Sequence, residues 1–77
     1  MDEQERNDLR AELERVDAEL EELSRDIRDV RDSLTDGGAM DVEDRAGAIS
    51  QIDELDAIEA RLQQRRDAIV ERLGAGS

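Results

Sequence analysis

The side chains in this sequence that could do chemistry are almost all carboxylates, and several of them surround a pair of glycines. Asp36 precedes the Gly-Gly pair, and Asp41, Glu43 and Asp44 follow it. Carboxylates act as general acids or bases when burial or a close partner tunes their acidity, and oxygen-rich loops can bind Mg²⁺ or Ca²⁺. The spacing lacks the alternating ligands and the distal glutamate of an EF-hand. Only a weak exposed Mg²⁺ contact, or a metal shared with a partner, remains compatible with it.

These residues also suit the start of a helix. Asp41 is a good N-cap, and acidic residues just after it are favoured by the helix dipole. The chain contains no histidine, cysteine or aromatic residue. It therefore cannot form a Ser-His or Cys-His nucleophile, an imidazole or thiolate metal site, or an aromatic-lined pocket. We expect no enzymatic activity, no metal site and no cofactor.

The overall charge excludes several classes of partner. The 77 residues include 23 acidic and 11 basic ones, all of the latter arginine, for a net charge of −12. Such a polyanion repels phosphate backbones and anionic lipid surfaces, so we expect no direct contact with nucleic acid and none with a membrane. No apolar run approaches the roughly 20 residues of a transmembrane helix, and no signal-peptide core is present. These features favour a cytoplasmic protein.

Apolar residues in the first half of the chain recur at alternating steps of four and three. This unbroken heptad pattern predicts a helix from about residue 3 to residue 34 with one apolar stripe. Asp2 and Glu5 form a capping pattern at its start. The stripe consists of Leu9, Leu13, Val16, Leu20, Leu23, Ile27, Val30 and Leu34.

The glycine pair interrupts the heptads because glycine permits the positive φ angles that end helices. We predict a turn over residues 35–41 and a second helix over about residues 42–73. Gly74 would be the C′ residue of that helix, and residues 74–77 would form a flexible tail. The second helix contributes a less regular seam that comprises Ile52, Leu55, Leu62, Ile69 and Leu73.

Polar residues interrupt this second seam, because the row from Ile52 to Leu73 also contains Glu59 and Arg66. They either fix the register of the two helices or extend outward to solvent. Nearby, Arg61, Arg65 and Arg66 form the one basic cluster of the sequence. This cluster either docks an acidic partner or balances the acids of the first helix.

Two long helices joined by a short turn pack antiparallel. We therefore predict a single all-α domain over residues 1–77, an antiparallel two-helix coiled-coil hairpin. Because a lone hairpin covers each stripe from one side only, we also expect it to pair with another protein or with a second copy. The second arrangement would be a homodimer that forms a four-helix bundle.

One short motif connects the turn to a known family. The segment DVEDRA has the form Asp-x-x-Asp-x-Ala and opens the second helix. It resembles the coiled-coil tip of the DksA/TraR family of transcription factors, with Asp41, Asp44 and Ala46 at the matching positions. RLGAGS, at residues 72–77, is similar to the segment that leads from that coiled coil into a zinc ribbon. The hairpin, with EARLQQ at residues 59–64, is also similar to the Gre transcript-cleavage factors.

The resemblance implies a non-enzymatic regulator whose hairpin enters the secondary channel of RNA polymerase. On this interpretation Asp41 and Asp44 contact the active-site region or its metal-bound water, and Ala46 is small enough to allow close approach. With no cysteine the zinc ribbon is missing, so the chain is either a hairpin-only member or a piece that ends before the ribbon. The residues alone leave two other functions open: a self-associating coiled-coil scaffold, and an acidic decoy that sequesters a basic protein.

Overall fold

The protein is a helical hairpin. The structure is a computed structural model that describes residues 2–36 and 41–75. Helix α1 spans Glu3–Asp36 and helix α2 spans Val42–Ala75, and each has 34 residues. The helices lie antiparallel in a rod that measures 56 × 15 × 13 Å. The predicted all-α helical hairpin is confirmed.

Both helices extend slightly beyond their predicted ends. Helix α1 continues to Asp36, and α2 continues through Gly74 and Ala75 instead of ending at Leu73. No described glycine has a positive φ, so Gly74 adds to the last turn of α2 and does not act as a C′ residue. Residues 37–40 of the predicted turn, and residues 76 and 77 of the predicted tail, lie outside the described residues.

An aspartate caps the start of each helix. Oδ1 of Asp2 accepts a hydrogen bond from the backbone N of Glu5 at 2.7 Å, and Oδ1 of Asp41 accepts one from the backbone N of Asp44 at 2.9 Å. Each bond satisfies one of the backbone donors that a helix N-terminus leaves free. The two helix starts are therefore determined locally by the residue types found there.

The heptad stripe of α1 faces α2 and forms most of the core. Three of its residues, Leu13, Val30 and Leu34, are half-buried. On α2 only Ile69 is buried, and the other predicted seam residues are half-buried. The buried residues of the α1 stripe are Leu9, Val16, Leu20, Leu23 and Ile27.

The tightest packing lies toward the open end of the hairpin, away from the turn. There, Ile69 of α2 contacts the cluster formed by Leu9, Val16 and Leu20 of α1. Leu13, Leu62 and Leu73 pack against the same cluster. Near the turn the apolar layer is thinner, because Leu34 and Ile52 are only partly covered.

The two polar residues of the α2 seam reach across the hairpin. Nε of Arg66 donates a hydrogen bond to Oδ1 of Asp17 at 2.6 Å, and Oε2 of Glu59 accepts one from Oγ of Ser24 at 3.4 Å. Both seam residues are half-buried. A one-heptad slip would separate both pairs. These contacts therefore support the interpretation that the polar residues fix the register.

Arg65 belongs to the same set of contacts between the helices. Its Nε donates a hydrogen bond to Oε1 of Glu12 at 2.9 Å, and its Nη2 contacts the same oxygen. The hydrogen bond and the charge of Glu12, with a smaller effect from Glu19, hold the pKa of the Arg65 guanidinium above its usual value. Two of the three clustered arginines thus balance acids of α1. Arg61 forms no ion pair within residues 2–36 and 41–75.

Replacing the charged seam residue by an apolar one should stabilise the hairpin. We expect Arg66→Leu to raise the free energy of unfolding by about 1 kcal/mol, because leucine would extend the apolar row toward Leu73. Urea unfolding followed by circular dichroism measures the change. Arg28→Leu, at an exposed position of α1, is the control and should give no gain. A loss of stability in Arg66→Leu would show that the ion pair with Asp17 outweighs the packing.

The uneven core predicts that equal truncations have unequal effects. Leu20→Ala should lower the free energy of unfolding by about 3 kcal/mol, and Leu34→Ala by about 1 kcal/mol, because only the first leaves a cavity in the tight cluster. The same urea experiment compares them. A Leu20→Ala protein as stable as Leu34→Ala would contradict this description of the core.

Candidate interaction site at the tip

The residues predicted to contact a partner lie at the turn end of the rod. Asp41 caps α2, and Asp44 and Ala46 lie in its first two turns. All three are exposed. The hairpin therefore displays this segment at one extremity of a rod 56 Å long.

The cap brings the two aspartates together. The hydrogen bond from the backbone N of Asp44 engages Oδ1 of Asp41. Among the described residues, Oδ2 of Asp41 and the carboxylate of Asp44 have no hydrogen bond or ion pair. One capping interaction thus orients Asp41 while it leaves acceptor oxygens of both residues accessible.

Ala46 does not share the face of these carboxylates. Two residues along an α-helix correspond to a rotation of about 200°, so Ala46 lies on the far side of α2 from Asp44. It shares a face instead with Val42 and Ile49, which lie four residues before it and three after it. Val42 is 85% exposed and Ile49 is 48% exposed. We call Val42, Ala46 and Ile49 the tip strip.

Of the tip strip, the sequence singles out Ala46 but not Val42 or Ile49. Val42 and Ile49 stand outside the heptad positions of the seam, so the seam pattern gave no reason to single them out. The available signal was their spacing of four and three residues with Ala46, on a different face from the seam. That signal becomes informative once the fold shows that α1 does not cover this face.

Helix capping does not explain all the acidic residues near the turn. The last turn of α1 contains no basic residue, although the helix dipole favours cations at a C-terminus and disfavours anions. Asp32 and Asp36 nevertheless occupy the end of α1. Asp32 places negative charge near this end at a cost to helix stability, unlike the acids that open α2.

The hairpin concentrates negative charge toward the turn. Residues 21–57, which form the turn half of the rod, contain 12 acidic residues and four arginines, a net charge of −8. The remaining residues contain 11 acidic residues and seven arginines, a net charge of −4. The rod is therefore electrically polar along its length, with its more negative end at the tip.

The described residues offer no enclosed site. The hollows between the helices are open grooves lined mainly by charged side chains, such as Arg31, Asp56, Glu12 and Arg65. No three acidic side chains in the described part of the chain are arranged to hold a metal ion. Neither of the two described helices has the length and apolar character needed to cross a bilayer.

Comparison with known proteins identifies no related protein. No family model matches the sequence, and neither the curated proteins nor the solved structures give a match. The fold and the exposed tip thus define the class by structure alone: an all-α helical hairpin whose accessible features are surface patches.

Substitutions at Asp41 should separate capping from charge. We expect Asp41→Ala to lower the free energy of unfolding by about 1 kcal/mol, and Asp41→Asn to change it by only a few tenths, because asparagine also accepts the capping hydrogen bond. Urea unfolding monitored by circular dichroism gives both values. If the two variants lost the same stability, the charge of Asp41 rather than its cap would support the helix.

Proposed function

We propose that this protein is a cytoplasmic, non-enzymatic interaction hairpin that regulates transcription by presenting its tip to bacterial RNA polymerase. The observation that carries this proposal is the tip strip. Val42 is the most exposed large hydrophobic side chain among the described residues, at 85%, and it lies beside the accessible carboxylates of Asp41 and Asp44. Protein interfaces combine an apolar centre with a polar rim, and the tip provides both.

The shape and the charge of the rod suit insertion into a narrow basic opening. Its Cα trace measures 15 × 13 Å across and 56 Å along the rod, so a single hairpin is narrow enough to enter a channel that excludes a globular domain. The more negative turn half would be drawn in first by a positive potential, because electrostatic steering acts on the distribution of charge as well as on its total. The rod is therefore oriented before contact.

The segment DVEDRA resembles the DksA/TraR coiled-coil tip. This resemblance supports the secondary channel of RNA polymerase as the opening that the hairpin enters. In this proposal Asp41 and Asp44 contact basic groups or metal-bound water near the active site. Val42 and Ala46 contact an apolar surface on the other side of α2. The small side chain of Ala46 allows the partner to approach closely on the face that Ala46 shares with Val42.

Binding to purified bacterial core RNA polymerase tests the proposal. A tag at the open end leaves the tip free, because Glu3 and Ala75 both lie at that end. We expect Asp41→Asn/Asp44→Asn, which keeps the cap, to weaken binding at least about tenfold. Val42→Gln should weaken it similarly by removing the apolar contact.

A matched control removes the same charge from the other end of the rod. Asp67→Asn/Glu71→Gln alters two exposed acids of α2 far from the tip and should leave binding within about twofold of the wild type. The proposal fails if the wild-type hairpin does not bind the polymerase. It also fails if the control loses as much affinity as the tip variants, because diffuse charge would then suffice. That second outcome, with a steep fall of affinity in salt, would favour the acidic-decoy function.

A further inference from the structure

One flank of α2, beside the seam, carries a second heptad row that belongs to neither the seam nor the tip strip. Its members recur at alternating steps of three and four residues, and all of them are exposed. Residues with this spacing form one continuous stripe along a helix. We call this stripe the outer row; it consists of Asp44, Gly47, Gln51, Glu54, Ile58, Arg61, Arg65, Ala68 and Arg72.

The charges of the outer row are complementary to those of a second copy of the same row that runs in the opposite direction. Ile58 lies at its centre, the acidic members precede Ile58, and the arginines follow it. If a second α2 is aligned antiparallel on Ile58, each Glu54 faces Arg61 of the other copy. The two smallest residues, Gly47 and Ala68, also face each other. A surface that matches itself under a two-fold rotation is what a symmetric dimer requires.

The fold of the single chain explains Arg65, which pairs with Glu12, but it does not explain the residues at the centre of the outer row. Glu54 and Arg61 form no ion pair with any residue that the structure describes. A Cβ atom added at Gly47 would meet nothing within 4 Å, so the packing of one hairpin does not require a glycine there. Ile58 keeps 42% of its surface exposed although most of the solvent side of this rod is charged.

We propose that the outer row is a self-recognition surface through which two copies of this protein pair antiparallel. Ile58 packs on Ile58 of the second copy at the two-fold axis, and Glu54 forms an ion pair with Arg61 of the second copy on each side of it. Gly47 allows the helix backbones to approach closely where Ala68 of the second copy faces it. This inference goes beyond the proposed function, because Glu54, Ile58 and Arg61 at the centre of the outer row lie away from the tip and on a different flank of α2 from the tip strip.

The dimensions of the contact predict a weak dimer. Ile58 is near the middle of Val42–Ala75, so the two α2 helices overlap along their whole length of roughly 50 Å. With a contact width of about 10 Å, each copy buries on the order of 500 Å², which is near the lower limit for a specific interface. The net charge of −12 opposes association. Dimers should therefore form at high micromolar concentration and dissociate on dilution.

Two isoleucines allow a matched test of this surface by sedimentation equilibrium. Ile58→Asp places two carboxylates at the two-fold axis, and we expect it to remain monomeric at concentrations where the wild type dimerises. Ile49→Asp makes the same change at an isoleucine of similar exposure, 48% against 42%, on the opposite flank of α2. It should dimerise like the wild type. Circular dichroism confirms that both variants remain helical.

A charge exchange tests the orientation of the pair. Glu54→Arg and Arg61→Glu should each weaken the dimer at least about tenfold, and the double variant should restore it because the reversed pairs attract again. Arg28→Glu on α1 changes the total charge as Arg61→Glu does and should have a smaller effect. The inference is overturned if the wild type stays monomeric, if both isoleucine variants behave alike, or if the double variant does not recover. None of these outcomes depends on binding to RNA polymerase.

Discussion

The contact between the apolar stripe of α1 and helix α2 supports everything else in this molecule. The chain has no aromatic residue, no cysteine and no proline, so no aromatic side chain, disulfide or rigid turn residue assists that contact. The stripe of α1 follows the heptad strictly and is flanked by charged residues. A stripe this narrow suits a single neighbouring helix. Helix α2 fills that role, and its pairing with α1 places both the tip and the outer row.

Sequence reasoning recovered the features that depend on local rules. Heptad spacing identified both helices, and the side-chain preferences of helix starts identified Asp41 as a cap. The sequence alone could not show where the Arg66 side chain points. A position in the heptad row does not determine whether a long side chain extends to solvent or to Asp17. Sequence reasoning also grouped Ala46 with Asp44, since a motif read as letters ignores the rotation between them. The exposure of Val42 could not be read from the sequence, because it depends on which faces of α2 are left uncovered by α1.

The two helices contribute unequally to the core and to the exposed apolar surface. Helix α1 combines an apolar seam with a solvent side on which most residues are charged. Helix α2 has fewer buried residues but displays Val42, Ile49, Ile58 and Val70 to solvent. The helix that contributes less to the core is thus the one that exposes more large apolar side chains. Single exposed apolar residues are ordinary on proteins, but Val42 and Ile49 share one face of α2 with Ala46.

The position of the tight cluster at the open end has a consequence for how the chain reaches its fold. Leu9 and Ile69 are sixty residues apart in sequence, so their contact closes a long loop and carries a large entropic penalty. Contacts beside the turn close short loops but gain little, because packing there is thin. If the helices paired first beside the turn, the free energy would rise until Leu9 and Ile69 came into the same cluster. The hairpin should therefore assemble more slowly than its helical content suggests, with a late barrier set by contact order.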